Sequence, residues 1–178
     1  GFVLFLVVAA VGVIAAVKYM PSRERADLDA LYAAGGSDRV ALYLNYERQE
    51  ESGVYVDGQT YLPAAWVDAN LNERFYWDAN EEILVYALPE EIVKSDETTV
   101  DEDGKKILYR DGDAVYLSLA LIQKYTDVRL QAYDGEAQKR VFVENNWDPV
   151  TVADAAWSAK IRLRGGLKSP IVTEIKRG

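Results

Sequence analysis

Val54-Tyr55-Val56-Asp57-Gly58-Gln59-Thr60-Tyr61-Leu62-Pro63 sets branched and aromatic residues on both sides of an Asp-Gly pair. Asp-Gly accepts the positive φ angles of a two-residue turn, so the stretch predicts an antiparallel hairpin beginning at Gly53. Upstream, Val40-Ala41-Leu42-Tyr43-Leu44-Asn45-Tyr46 has the same composition and predicts another strand. Past Tyr61 the period changes. Leu62, Trp66, Val67 and Leu71 recur at helical spacing, Pro63 sits at a first-turn position where its missing N–H costs nothing, and Asn70 and Asn72 mark the exit. Arg74-Phe75-Tyr76-Trp77-Asp78 and Ile83-Leu84-Val85-Tyr86 then read as two further strands, closed by Pro89. The unit is hairpin, helix, hairpin.

The same order returns downstream. Tyr109-Arg110-Asp111-Gly112-Asp113-Ala114-Val115-Tyr116-Leu117 lines up with the opening stretch, with one residue inserted. Leu117, Leu121 and Ile122 then stand where Leu62, Trp66 and Val67 stood, and strands follow near Val128 to Asp134 and Arg140 to Val143. Self-similarity of this kind predicts a duplicated unit. Between the copies, Glu90, Glu91, Asp96, Glu97, Asp101, Glu102 and Asp103 make an acidic linker, in which Asp103-Gly104 offers a hairpin turn. After Trp147-Asp148-Pro149, strands are expected at Val150-Thr151-Val152-Ala153, at Lys160-Ile161-Arg162-Leu163-Arg164 and at Ile171-Val172-Thr173-Glu174-Ile175, with Gly165-Gly166 as a turn.

The N-terminal end obeys another pattern. Residues 2–17 are apolar, without charge and interrupted only by Gly12. At about 1.5 Å per residue they make roughly 24 Å of helix, slightly short of a hydrocarbon core of roughly 30 Å. A globular helix of this length normally shows a polar stripe and this one does not, so a membrane anchor is expected, contacting the bilayer through residues 2–17. Because the chain opens on Gly, residues upstream are expected to complete the span. A cleaved signal peptide, with Ala15 and Ala16 near the processing site, is the competing reading. Residues 22–34 have helical spacing and end at Gly35-Gly36, which predicts a short juxtamembrane helix. Lys18, Arg23 and Arg25 favour a cytoplasmic flank by the positive-inside rule, but Glu24, Asp27 and Asp29 are interleaved and large domains translocate regardless of charge. The soluble part is expected outside.

Composition narrows the chemistry. The 178 residues contain no Cys and no His, which removes disulfides, thiol nucleophiles, Ser-His triads and most zinc sites. With 29 acidic and 20 basic side chains the net charge is -9, so nucleic acid is not an expected partner, and repulsion from anionic lipid is expected. Glu50-Glu51, Glu81-Glu82 and Glu90-Glu91 fall in turns or polar segments, where solvated carboxyls lack the buried, spaced arrangement that glycoside hydrolysis needs. Asp101-Glu102-Asp103-Gly104 lacks the spacing and terminal Glu of a calcium loop and reads as a solvated turn. No catalytic, cofactor-binding or metal-binding residue is expected. The four Trp and twelve Tyr invite a glycan-binding reading, with Trp66, Tyr76, Trp77 and Trp147 as candidate contacts. Against it, strand alternation turns Phe75 and Trp77 toward a core and only Tyr76 outward.

The order of strand, Asp-Gly, Tyr61-Leu62-Pro63, helix, Tyr76-Trp77-Asp78 and Glu82-Ile83-Leu84-Val85-Tyr86 resembles the stalk domain similar to the N-terminal domain of copper amine oxidases. In Gram-positive bacteria that module is a repeated, non-catalytic, surface-exposed unit, and the resemblance covers residues 38–146. With the apolar run and Arg164-Gly165-Gly166-Leu167-Lys168-Ser169-Pro170-Ile171, the arrangement also resembles the N-terminal, non-catalytic part of clostridial membrane-anchored proteins of glycoside hydrolase family 18. There, an anchor and stalk units precede an SH3-like domain and a catalytic barrel. The resemblance implies no copper ligand and no catalytic residue in this chain, whose barrel signature is absent.

The expected class is therefore α+β. A transmembrane anchor (1–20) and a juxtamembrane helix or linker (21–37) precede stalk unit 1 (38–92), an acidic linker (93–106) and stalk unit 2 (107–147), with the truncated start of an SH3-like β domain at 148–178. The chain is expected to continue past Gly178. The expected function is a membrane-anchored extracytoplasmic spacer presenting a wall-active module; the alternative is a module that binds peptidoglycan or another wall glycan.

Overall fold

A computed structural model describes residues 1–135, 138–146 and 154–178, leaving aside the Leu6 side chain. The chain runs through α1 (Phe2–Tyr19), α2 (Leu28–Tyr32), β1 (Arg39–Leu44), β2 (Glu47–Val56), β3 (Gln59–Pro63), α3 (Ala64–Asn70), β4 (Phe75–Asp78), β5 (Ile83–Ala87) and β6 (Ile92–Ser95). It continues through β7 (Leu108–Asp111), β8 (Ala114–Ser118), α4 (Leu119–Tyr125), β9 (Arg129–Tyr133), β10 (Arg140–Glu144), β11 (Ala159–Arg162) and β12 (Ile171–Ile175). Two compact units result: Gly1–Leu31 with Val150–Gly178, and Tyr32–Pro149.

In the first unit, α1 is a single apolar helix long enough to cross a membrane, and none of it is buried. The juxtamembrane helix expected from Ser22 begins only at Leu28. Its start is fixed by Asp27, whose Oδ1 accepts the Ala30 N–H at 3.0 Å. The preceding residues are extended because their backbone bonds elsewhere: Ser22 N–H donates to Leu167 O, Ala26 N–H to Ile171 O, and Ile171 N–H to Glu24 O, each at 2.8 Å. β11 and β12 pair antiparallel, and Arg25 bridges to Ile171 in parallel. Over 148–178, where the start of an SH3-like domain is expected, the described residues form this two-stranded sheet from the strands expected near Lys160 and Ile171; the strand expected at Val150-Thr151-Val152-Ala153 lies outside the described residues.

The second unit is built on a seven-stranded sheet in the order β7-β8-β3-β2-β1-β10-β9. All neighbours are antiparallel except β1 and β10, which run parallel from Ala41↔Arg140 to Leu44↔Val143. Asp57 (φ 49°) and Gly58 (φ 80°) make the expected tight turn between β2 and β3. A second such turn joins β1 to β2 at Asn45 (φ 48°) and Tyr46 (φ 70°), so β2 starts six residues earlier than expected, at Glu47. Its polar first half is exposed. α3 starts at Ala64, and Leu62 and Pro63 belong to β3, so Pro63 precedes the helix instead of opening it. At α4, Ser118 Oγ accepts the Leu121 N–H at 3.2 Å and fixes the start.

Two separate repeated units do not form, and the fold is mostly β: 39% strand against 21% helix, in three sheets. β3 of the first expected unit pairs directly with β8 of the second, with Leu62 opposite Leu117, and both side chains are wholly buried. The two trailing hairpins also part company. β4 and β5 join β6 in a small sheet of their own, whereas β9 and β10 add to the large sheet beside β1. Residues 93–106, expected as a linker with a hairpin turn at Asp103-Gly104, hold that hairpin, bridged at Val100 and Lys106, and also the end of β6, with Val93 packed on the core. Physically, a unit of about 50 residues buries too little surface to be secure alone, and merging the sheets lets both halves share one interior.

That interior lies where α3, α4 and the small sheet pack on one face of the large sheet, with Leu42, Leu62, Val67, Leu117, Ile122 and Val143 at its centre. Asn72 ties the halves together: its Nδ2 donates to Tyr125 O at 2.9 Å, satisfying a carbonyl at the end of α4. Gly53 is the tightest point in the sheet, since a Cβ there would stand 2.7 Å from Tyr61 O and 3.1 Å from Leu62 Cδ2. Gly53→Ala is expected to lower stability by about 1–3 kcal/mol, the usual penalty of overpacking, because the obstructing atom is backbone. Denaturant unfolding of the variant checks this.

Candidate functional site

β4 alternates as its sequence demands. Phe75 is buried against Tyr86 and Tyr125, with ring centroids 4.6 and 6.4 Å away, while Tyr76 is 62% exposed. Trp77 is half-buried against the main core. The Arg110 guanidinium lies over its ring, 5.4 Å from the centroid. Arg110 is itself held by Glu82 at 3.0 Å and Glu97 at 3.2 Å, so this Trp is fixed rather than free to turn outward.

Beside these rings lies a cleft of about 390 Å³. Pro63 at the end of β3 and Ala64 at the start of α3 form one boundary, Phe75, Tyr76 and Trp77 a second, and Ala114, Val115 and Tyr116 of β8 a third. Asp68, Glu73 and Asp113 stand at it. Aromatic surface flanked by carboxylates offers a stacking face and hydrogen-bond acceptors, which suits a hydroxyl-rich or cationic ligand. The pairing of β3 with β8 creates the cleft by bringing Asp113 to the neighbourhood of Pro63, a juxtaposition across 50 residues of sequence.

A second cavity of about 510 Å³ runs between the 96–106 segment and α4, lined by Val93, Thr99, Asp101, Ile107, Leu121 and Tyr125. Of its acidic residues, Asp101 is occupied with the turn, as is Asp96 at the start of the segment. Asp101 Oδ1 accepts the N–H groups of Asp103 (3.0 Å) and Lys105 (2.9 Å), and Asp96 Oδ1 accepts from Thr98 and Thr99. The Thr98 and Thr99 hydroxyls hold the Asp96 carboxyl below the usual carboxylate range. No group of three or more Asp or Glu that could hold a metal ion occurs among the described residues.

The opposite face of the large sheet carries a run of rings. Tyr43 stacks on Phe142 at 4.7 Å, and Tyr32 and Tyr133 meet Phe142 edge-on at 6.5 and 6.0 Å. Tyr46 donates its hydroxyl to Glu144 Oε1 at 2.8 Å, and this bond to a carboxylate raises the phenol above its ordinary pKa. Tyr61 is raised chiefly by burial, with Asp57 and Asp101 adding to it.

Of the four aromatic residues singled out from sequence, the structure brings Tyr76 and Trp77 to one cleft. Trp66 is 3% exposed, inside the main core, with its Nε1–H directed at Gln49 Oε1 at 3.4 Å. It has no ring face to offer a ligand. Trp147 lies outside the described residues. Asp68, Glu73 and Asp113 escaped the sequence reading because each is an ordinary surface acid until the two halves share a sheet. Comparison with known proteins gives no match: no family model, no curated protein and no solved structure resembles this chain at a significant level.

Proposed function

We propose that this chain is a non-catalytic, membrane-tethered spacer, with α1 in the bilayer and the unit Tyr32–Pro149 carried outside the cytoplasm to present a wall-active module of the glycoside hydrolase family 18 type. The tether is supported by one observation above others: α1 is apolar from Phe2 to Val17 and buries nothing. Each large aliphatic side chain left in water forgoes roughly 1.5–3 kcal/mol of burial, a cost that a bilayer removes. The spacer role is supported by the shared core of Tyr32–Pro149, which joins both halves in one body, and by the likeness of residues 38–146 to copper amine oxidase-type stalk domains. Alkaline carbonate extraction tests the tether. The full chain is expected to stay in the membrane pellet, and a chain lacking residues 2–19 is expected in the supernatant.

A second reading, retention of peptidoglycan or another wall glycan, is favoured by the cleft at Tyr76 and Trp77 with its three carboxylates. Tyr76 is its most accessible ring.

A further inference from the structure

Charge in this protein is unevenly distributed. Against a net charge of -9, residues 160–178 contain Lys160, Arg162, Arg164, Lys168, Lys176 and Arg177 with Glu174 as their one acid. The tip of the β11–β12 hairpin is held at the C-terminal end of α1: Lys168 Nζ donates to Val17 O at 2.6 Å, and Leu167 O accepts the Ser22 N–H at 2.8 Å. The last carbonyls of a helix lack partners within it, and an ammonium group is favoured there by the helix dipole as well. The tip is shaped by its own bonds. Arg162 Nη1 donates to Ser169 O at 2.6 Å, the Arg164 N–H to Ser169 Oγ at 2.8 Å, and Gly166 takes a φ of 105° that only glycine adopts readily.

This arrangement turns apolar residues outward. Leu163 is 42% and Leu167 56% exposed, alternating with exposed Arg164 and Lys168. The end of a membrane-spanning helix lies at the bilayer boundary, so a loop bonded to the last turn of α1 is carried to the headgroup region. Lys18, Arg23 and Arg25 flank the same point, interleaved with Glu24, Asp27 and Asp29.

We propose that residues 163–168 form a bilayer-docking loop: Leu163 and Leu167 enter the headgroup boundary, and Arg164 and Lys168 engage the phosphates of anionic lipid. The repulsion from anionic lipid expected from the overall charge is reversed at this point on the molecule. The proposal rests on the reading of α1 as a membrane span, and the experiment separates the two.

The chain has no cysteine, so single labelling sites are clean. The full chain carrying Leu167→Cys or Val8→Cys, each labelled with an environment-sensitive fluorophore, is reconstituted in vesicles of phosphatidylcholine or of equimolar phosphatidylcholine and phosphatidylglycerol. Quenching by lipids bearing a nitroxide at the headgroup or at mid-chain reads depth. The label at position 8 is expected to respond to the mid-chain quencher, and the label at 167 to the headgroup quencher, more strongly with phosphatidylglycerol present. Adding Arg164→Gln is expected to lower the docked-to-undocked ratio at 167 about fivefold in phosphatidylglycerol vesicles, the weight of one basic residue near an anionic surface. If position 8 is deep while 167 stays in water, or if 167 ignores both phosphatidylglycerol and Arg164→Gln, the docking loop is overturned and the span stands. If position 8 is itself in water, both fall.

Discussion

Residues 38–92, produced alone, are expected to remain unfolded, with no cooperative transition on heating and collapsed amide dispersion, whereas residues 32–149 fold cooperatively. β1 would lose β10 and β3 would lose β8, leaving two unpaired edges on a three-stranded remnant. The interior would be halved as well. Of the seventeen buried residues in the main cluster, eight lie before residue 92 and nine after residue 106. The eight include Leu62, Trp66 and Val67, which share the cluster with Leu117, Leu121 and Ile122 of the other half. A fragment of this size is marginal even with a complete core. A sharp melting transition for 38–92 in isolation would restore the picture of two independent units.

Trp66→Ala is expected to cost about 3–5 kcal/mol, as truncation of a fully buried aromatic does when the site cannot collapse around the void. Gln49 would also lose the partner of its Oε1. The same variant bears on glycan retention. Tyr76→Ala, at an exposed position, is expected to leave the melting temperature nearly unchanged. If peptidoglycan is retained at the cleft, Tyr76→Ala weakens retention and Trp66→Ala, assayed well below its melting temperature, does not. Loss of retention by Trp66→Ala with unchanged stability would contradict its burial.

Much of the local structure was legible because it depends on neighbours in sequence. The Asp57-Gly58 turn, the alternation of Phe75, Tyr76 and Trp77, and the apolar face of α4 follow from turn chemistry and periodicity alone. Helix starts were less legible, since Asp27 and Ser118 cap through side chains whose partners only the folded backbone defines. The global error had one source. Similarity between segments predicts units that close on themselves, but strands with equal apolar faces pair as readily with each other, and Leu62 opposite Leu117 is that choice made visible. Nothing in the order of residues distinguishes β9–β10, which joins the large sheet, from β4–β5, which does not. The cleft carboxylates and the attachment of the hairpin tip to α1 stay hidden for the same reason: each joins residues far apart in the chain, Pro63 with Asp113 and Val17 with Lys168.

The proposed outward tether is tested most directly by impermeant maleimide labelling of intact cells. Gln131→Cys puts one thiol on an exposed strand of a chain that otherwise has none. If α1 spans the membrane and the folded unit lies outside, the thiol labels in intact cells as completely as after lysis, and the protein stays with the membrane through carbonate extraction. Labelling only after lysis, with the protein still in the membrane, would put the folded unit in the cytoplasm, the side that Lys18, Arg23 and Arg25 favour, and would contradict the account.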